Sequence, residues 1–540
     1  MMNTHVHGIT SVMSRHPAIP IVLACALLYA PFSAKPFFMD SPITVYMARQ
    51  IIASPVDPPA GGYGTLLAPW NHTDLPQSSA YHATPHPPLV PLYLAPFVAA
   101  FGTNEAVLNW AMFPFFALAA LFFFGLASLL ATAYKSWATA LFTLSPVVFV
   151  NAQDVMLDVP LAAFSMGALY YMLRSRRKSD ALVSGLFASL ACLTKFTGGT
   201  VVLSGIALYA LSKKWKECGL FVLPCAVLYG GWIAHNLLVW HNIQLLANGH
   251  MHYTASDVRY RFERMMSCFG GAIILPAFPL ALAFSVKSMR RPAALASAAA
   301  AAWSLLLWNR LHYSAWSAAL FALCASSGVV LLYAAGKVIT SRAAPQATAL
   351  AVHVAGQIGG GLFLTLYASR YLLPFVFAGV IGFLSMVEEI KGRATRRIVL
   401  SAALSCGATL AVLLSISGFQ WAKADKNAAR DVATLAAGHD VYFSGRLGYL
   451  YYFDKAGAKS LLFRGNRPGP RDLLVQNANN KDDAEFFSDT SGLELVKQLD
   501  YPVFPVRGIG GRAGFYGDDR LPYAWVTDPA GRIFRIFRRK

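Results

Sequence analysis

The sequence predicts a polytopic α-helical membrane protein of about thirteen transmembrane helices, closed by a small external α/β domain. Three observations predict it. The chain of 540 residues is 56% hydrophobic and only 13% charged, apolar runs of about span length recur along it, and its basic residues fall in short clusters between those runs. No soluble fold needs so many apolar runs. The formal charge of +19, from 45 basic and 26 acidic residues, is accounted for by the bias of basic loops toward one side of a membrane, so no nucleic-acid partner is implied.

The first span is the apolar stretch from Ala18 to Ala34, preceded by the basic "MSRHP". No small-x-small cleavage site follows it, so it reads as an uncleaved span with a cytoplasmic N-terminus. The strongest topological marker is "RSRRKSD" at Arg174–Asp180, four basic residues in a short loop. It should be cytoplasmic, and "SKKWK" (Ser212–Lys216), "KSMRR" (Lys287–Arg291), "GKVITSR" (Gly336–Arg342) and "KGRATRR" (Lys391–Arg397) should share its side. Between neighbouring markers lies enough apolar sequence for two crossings. The remaining twelve spans are expected at 104–131, 136–152, 158–173, 181–195, 197–211, 218–239, 266–286, 293–308, 315–335, 347–367, 371–387 and 398–417. Counting back from Arg174, with "YKSW" as an inner loop, puts residues 36–103 in one external segment.

That parity decides the stretch "TPHPPLVPLYLAPFVAAFG", Thr84 to Gly102. It is apolar but short for a span, and Pro91 and Pro96 suit a bent interfacial helix. Thirteen crossings place the tail outside. The seven cysteines (Cys25, Cys192, Cys218, Cys225, Cys268, Cys324 and Cys406) lie in or beside apolar runs. They read as small core residues, with no disulfide framework and no zinc spacing.

The ionisable groups sit at the outer ends of the spans. Asp40 lies just beyond the first span, and Asp154 and Asp158 lie in "NAQDVMLDVPLAAF". Lys195 in "CLTKFTGG" and Arg370 in "YASRYLLPF" mark outer turns; His86 belongs to the first external segment, and His250, His252, Asp257 and Arg259 to another. A secondary transporter would usually carry such groups near mid-membrane, so the distribution describes an outward-facing site. Each group also has a plainer reading. Asp158 is a natural N-cap for the helix begun by Val159 and Pro160, Lys195 and Arg370 suit interfacial anchors, Asp40 suits a polar cap after a span, and His353 reads as a packed or hydrogen-bonded histidine. Asp154 and Asp158 would share one face if helical and could hold a divalent cation, although two carboxylates are a weak metal signal.

In their order, these residues resemble the GT-C superfamily of polyprenyl-phosphate-sugar-dependent glycosyltransferases, with the bacterial relatives of protein O-mannosyltransferases and of the lipid A aminoarabinose transferase nearest. The matching pieces are Asp40 followed by "YMARQI", "HPPL" (His86–Leu89), Ser145–Pro146 with "DVPLAAF" (Asp158–Phe164), "LTKFTG" (Leu193–Gly198) and "SRYLLP" (Ser369–Pro374), together covering nearly the whole chain. The resemblance implies transfer of one sugar from a polyprenyl-phosphate carrier to a lipid, glycan or protein acceptor, on the external face of a bacterial inner membrane. It implies Asp40 as base and Asp158 with Asp154 as orienting groups or contributors to a metal site, with Mg or Mn as the cation. Lys195 and Arg370 would bind the donor phosphate, with His86 where some relatives carry a lysine. Two departures stand out: Ser41 follows Asp40 where many relatives have a second acid, and His86 would make phosphate affinity pH-dependent, because histidine titrates near neutrality. Rival classes are a lipid-sugar transporter or flippase and a non-catalytic membrane scaffold.

Beyond residue 419 the character changes. The spans form a catalytic domain over 1–419, with 36–103 as its first external loop, and 420–540 forms an extracytoplasmic α/β domain. "HDVYFSG", "AKSLLF", "RDLLVQ" and "GRIFRIF" read as short strands. "RLGYLYYFDKAG" reads as an amphipathic helix ending at glycine, and it repeats a Gly445–Gly448 and Tyr451–Gly457 pattern of related bacterial enzymes.

Overall fold

A computed structural model of the chain describes residues 18–59, 79–82, 86–241, 243–244, 255–311, 313–362, 368–436, 438–445, 447–462, 466–479, 487, 491–510, 513–516, 519–526 and 531–539. His250 and His252 lie outside the described residues, as do the N-terminal basic segment and the middle of the first external loop.

A helix occupies each predicted span, but not thirteen full-length crossings. Among the described residues five helices are long and apolar enough to cross a membrane: Glu105–Leu130, Trp215–Trp240, Ala315–Thr340, Ser369–Glu388 and Arg393–Ala436. A sixth counts if Asp257–Ala272 and Ala277–Ser285, bent by 86° at their junction, form one broken span. The reason is length. Helices of 17 residues, such as Asp158–Arg174 and Lys178–Thr194, reach about 26 Å against a hydrocarbon core of about 30 Å.

Proline and glycine explain the breaks. The predicted span 136–152 divides into Lys135–Thr143 and Pro146–Asn151 because Ser145, preceding Pro146, is extended (φ −63°, ψ 139°). The predicted span 266–286 divides before Pro276. The stretch from the first external loop forms the helix Leu89–Phe101 with Pro96 inside it; 13 residues reach only about 20 Å, too short to cross. It packs on the helix Ser41–Ala53.

The basic loops do gather at one end of the bundle. Arg342 donates to the carbonyls of Leu129 and Leu130 (3.2 and 2.6 Å), and Arg396 donates to the Tyr134 hydroxyl at 3.3 Å. Lys337 reaches Ser288 at 3.0 Å and Glu389 at 3.5 Å. Four loops that parity assigns to one side thus touch one another. The "RSRRKSD" loop is a tight turn closed by Asp180, which pairs with Arg174 and accepts from the backbone N–H of Arg176 at 2.8 Å.

The last helix, Arg393–Ala436, runs unbroken through residues 419 and 420. At 44 residues it is about 66 Å long, so its outer third stands clear of the apolar layer and supports the tail. There a five-stranded sheet has the order β2-β1-β3-β9-β4, from β1 (Val441–Phe443), β2 (Lys459–Ser460), β3 (Leu473–Asn477), β4 (Leu493–Tyr501) and β9 (Arg532–Arg539). The first three are parallel, and β9 pairs antiparallel with both β3 and β4. Between β4 and β9 lie two short ribbons, β5 (Val506–Arg507) with β8 (Ala524–Trp525) and β6 (Ile509–Gly510) with β7 (Ala513–Gly514). The helix Leu447–Lys455 ends before Gly457, which is left-handed (φ 83°). Strand β4 was not expected from the sequence. It is an exposed edge strand carrying Glu494, Lys497 and Asp500, the charged pattern that guards an edge and hides its periodicity.

Candidate functional site

The residues singled out from the sequence come from six separate places and meet at helix ends. Asp40 precedes the helix Ser41–Ala53, Asp158 is the first residue of Asp158–Arg174, and Lys195 follows Lys178–Thr194. Arg370 sits in the 3-10 turn Ser369–Phe375, Asp154 in the turn after Pro146–Asn151, and His86 just before Leu89–Phe101.

Charge pairing ties most of them together. Lys195 Nζ lies 2.7 Å from Asp158 Oδ1. Arg370 Nη2 lies 2.5 Å from Asp40 Oδ2, while its Nε lies 3.5 Å from the other oxygen of Asp158. The three side chains of Lys195, Arg370 and Asp158 are 4–6% exposed, but that of Asp40 is 30% exposed. Asp40 is therefore the accessible carboxylate of a buried group. Tyr371 supplies an aromatic floor, with Lys195 Nζ 4.1 Å and the Arg370 guanidinium 5.3 Å from its ring centre. His353 is hydrogen-bonded, to the Pro374 carbonyl at 3.0 Å and to the Thr200 hydroxyl at 3.2 Å. It thereby braces the turn that carries Arg370.

The plainer reading of Asp158 as an N-cap does not hold, because Leu157 occupies the cap position without a side-chain bond and the Asp158 carboxylate turns to Lys195. Nor do Asp154 and Asp158 share a helix face, since residues 152–157 are non-helical. Each carboxylate instead holds its own lysine. Asp154 pairs with Lys35 at 2.7 Å, both side chains being 0–1% exposed, and accepts a hydrogen bond of 2.7 Å from the Tyr516 hydroxyl. Among the described residues no group of three or more His, Cys, Asp or Glu side chains is placed to hold a metal.

Sequence reasoning missed Lys35 and Tyr516. Lys35 directly follows the first span at Ala34, and a cation five residues before a candidate base is a usable signal. Tyr516 carries no motif, and its partner lies 362 residues away. It belongs to the tail, so the tail reaches the site itself. Phe38 packs edge-on against Tyr516 at 4.8 Å, and Lys35 Nζ lies 4.8 Å from the Phe38 ring centre. Burial and the neighbouring Asp154 carboxylate push the Tyr516 phenol well above its ordinary range, so it stays a neutral donor.

His86 differs from the expectation of a titrating cation. Its Nδ1 is buried without a hydrogen-bond partner among the described residues. Burial first, and then the charge of Lys195, lower its pKa well below 6.5. The ring is neutral at pH 7. Asp257 and Arg259 stay apart from this cluster, on the helix Ala255–Ala272, where Arg259 meets Glu263 at 3.4 Å and Glu263 in turn binds Arg520 of the tail at 2.5 Å.

Chemically, three cations and three carboxylates cancel in a cluster largely shut from water. Arg370 can exchange one anion for another and stay paired itself, and Asp40, the partly exposed member, is the carboxylate that such an exchange would free.

Residues 85–240, which include His86, Asp154, Asp158 and Lys195, match the family model described as dolichyl-phosphate-mannose-protein mannosyltransferase. No curated protein matches the chain. Among solved structures, the chain is similar to ArnT from Cupriavidus metallidurans bound to undecaprenyl phosphate, at 16% identity and a TM-score of 0.43, covering 96% of this chain and 97% of that one. It is also similar to the arabinofuranosyltransferase AftD from mycobacteria, at 13% identity and a TM-score of 0.43, covering 97% and 40%. A third is the Archaeoglobus fulgidus oligosaccharyltransferase tethered to an acceptor peptide, at 12% identity and a TM-score of 0.45, covering 83% and 64%.

Proposed function

We propose that this chain, whose residues 85–240 match the model described as dolichyl-phosphate-mannose-protein mannosyltransferase, transfers a single sugar from a polyprenyl-phosphate donor to a hydroxyl of a lipid, glycan or protein acceptor. The observation that carries this reading is the meeting of Arg370, Lys195, Asp158 and Asp40 in one buried group with a single accessible carboxylate.

The donor phosphate takes Arg370 in place of Asp40 and joins Lys195, while both cations keep their contact with Asp158. As Arg370 turns to phosphate, Asp40 loses that partner and can accept the proton of the acceptor hydroxyl. The acceptor oxygen forms a bond to the anomeric carbon while the bond from that carbon to the phosphate oxygen breaks. The electron pair leaves with the polyprenyl phosphate, and Lys195 and Arg370 hold the negative charge that develops. Asp158 keeps the two cations together, and Asp154, fixed between Lys35 and Tyr516, positions sugar or acceptor. A glycosidase's second carboxyl is not needed, because the leaving phosphate needs no protonation.

Neutral His86, its Nδ1 without a partner among the described residues, contributes a ring donor or acceptor to the same cluster. The basic loops at the opposite end, through the positive-inside bias, support a site and tail outside a bacterial inner membrane with the N-terminus cytoplasmic. The decisive variant is Asp40→Asn. Transfer should fall by about 10²–10⁴ while undecaprenyl-phosphate binding by the purified protein is kept. Unchanged transfer would remove Asp40 as the base, and movement of lipid-linked sugar across vesicles without any glycosyl product would point to a transporter instead.

A further inference from the structure

A cavity of about 200 Å³, with apolar and polar walls, lies where the tail meets the bundle. Its walls bring together Met39, Trp421 and Asp425 of the long helix, Leu447, Asn477 and Arg532. The tail closes it: Arg532 Nε binds Asp425 Oδ1 at 2.8 Å, Arg532 Nη1 donates to Asn477 Oδ1 at 3.0 Å, and the guanidinium lies 4.6 Å from the Trp421 ring centre. Asp425 makes no other hydrogen bond among the described residues, and it lines the cavity.

The backbone of the wall is unusual. Met39 (φ 47°) and Leu447 (φ 62°), both bulky side chains, adopt the left-handed conformation that such residues rarely take, and Gly510 (φ 73°) does so beside them. Strain of this kind persists only where the surroundings enforce it, and it gathers at ligand sites. Met39 is also the residue before Asp40. A molecule in the cavity therefore rests against the backbone that carries the proposed base.

The walls restrict what fits. The volume is below the roughly 300–1,000 Å³ of drug-sized sites, which suits one ring. An anion would face the Asp425 carboxylate, and an acyl chain would bury an ion pair and an amide against hydrocarbon. Hydroxyl groups satisfy both, donating to the carboxylate and accepting from guanidinium or amide, with indole and phenol as apolar sides.

We propose that this cavity is an acceptor subsite for one neutral sugar ring, which presents a free hydroxyl of the acceptor saccharide toward Asp40. It deepens, and rests on, the transfer reaction proposed above. The test uses the full chain in detergent micelles, with the methyl α- and β-pyranosides of glucose, galactose and N-acetylglucosamine as probes in saturation-transfer NMR. Wild type should transfer saturation to at least one glycoside. Ile509→Trp, which fills the cavity, and Asp425→Asn, which removes its charge, should each weaken that signal at least fivefold. Binding of undecaprenyl phosphate is measured in the same samples and should be retained.

No transfer to any glycoside, or an equal signal in both variants, overturns the subsite whatever the donor does. Glycoside binding without donor binding in wild type would instead overturn the proposed reaction and leave the cavity as a sugar site. Should either variant unfold, hydrogen exchange of wild-type residues 447–449 and 506–510 with and without the glycoside decides; absence of protection overturns the proposal.

Discussion

The two ends of the bundle use the same side chains in opposite ways. At the basic end, arginines and lysines cap carbonyls and pair in the open: Lys337 and Glu389 are 44% and 43% exposed and 3.5 Å apart. At the other end Lys35, Lys195 and Arg370 are almost wholly buried, each against a carboxylate at 2.5–2.7 Å. An exposed pair gains little because water screens it, whereas a buried charge is tolerated only when paired. Charge at the basic end is paired in the open on one side of the bundle. Charge at the other end is paired and buried, and Asp40, 30% exposed, is its accessible carboxylate.

Breaking the buried end should have the largest effect. Arg370→Ala leaves Asp40 without its near partner and Asp158 with Lys195 alone; transfer should vanish, and stability in denaturant titration should fall by about 3–5 kcal/mol. A variant as stable as wild type would put this end in the same class as the other. Tyr516→Phe tests whether the tail belongs to the site. Losing one buried bond to Asp154 should cost about 1–3 kcal/mol and lower the transfer rate more than donor affinity, whereas an unaltered rate would leave the tail as a cover.

His86 sharpens the comparison through pH. Its folded pKa lies well below the unfolded value near 6.5, so below about pH 6.5 the unfolded chain binds a proton that the folded chain refuses. Stability contributed by the neutral ring is thus present above that pH and falls as pH drops, by at most about 1.4 kcal/mol per unit. Melting from pH 7.5 to 5.5 should show a steeper loss for wild type than for His86→Phe, and parallel curves would restore His86 as a titrating cation. At the basic end, Lys337→Ala should move stability by less than about 1 kcal/mol, measured by the same melts.

Much of this was legible. Apolar run length located the helices, and basic clusters sorted their ends because desolvation of charge is costly wherever a chain enters lipid. The order of Asp40, His86, Asp158, Lys195 and Arg370 named most of the charged group. Helix length was less legible, since a run such as 266–286 hides an 86° bend that depends on how the backbone around Pro276 packs. Strand β4 was hidden because an edge strand needs no apolar alternation.

Periodicity and charge, which are local, sufficed for the helical architecture and for the end at which charge gathers, while the roles of base and phosphate ligand came only from the family resemblance. Pairing is not local. That Lys195 holds Asp158 while Arg370 divides itself between Asp40 and Asp158, that Lys35 belongs to Asp154, and that Tyr516 arrives from the tail to complete that pair, all follow from packing. Partners 37, 330 and 362 residues apart meet only once the helices have set their ends side by side.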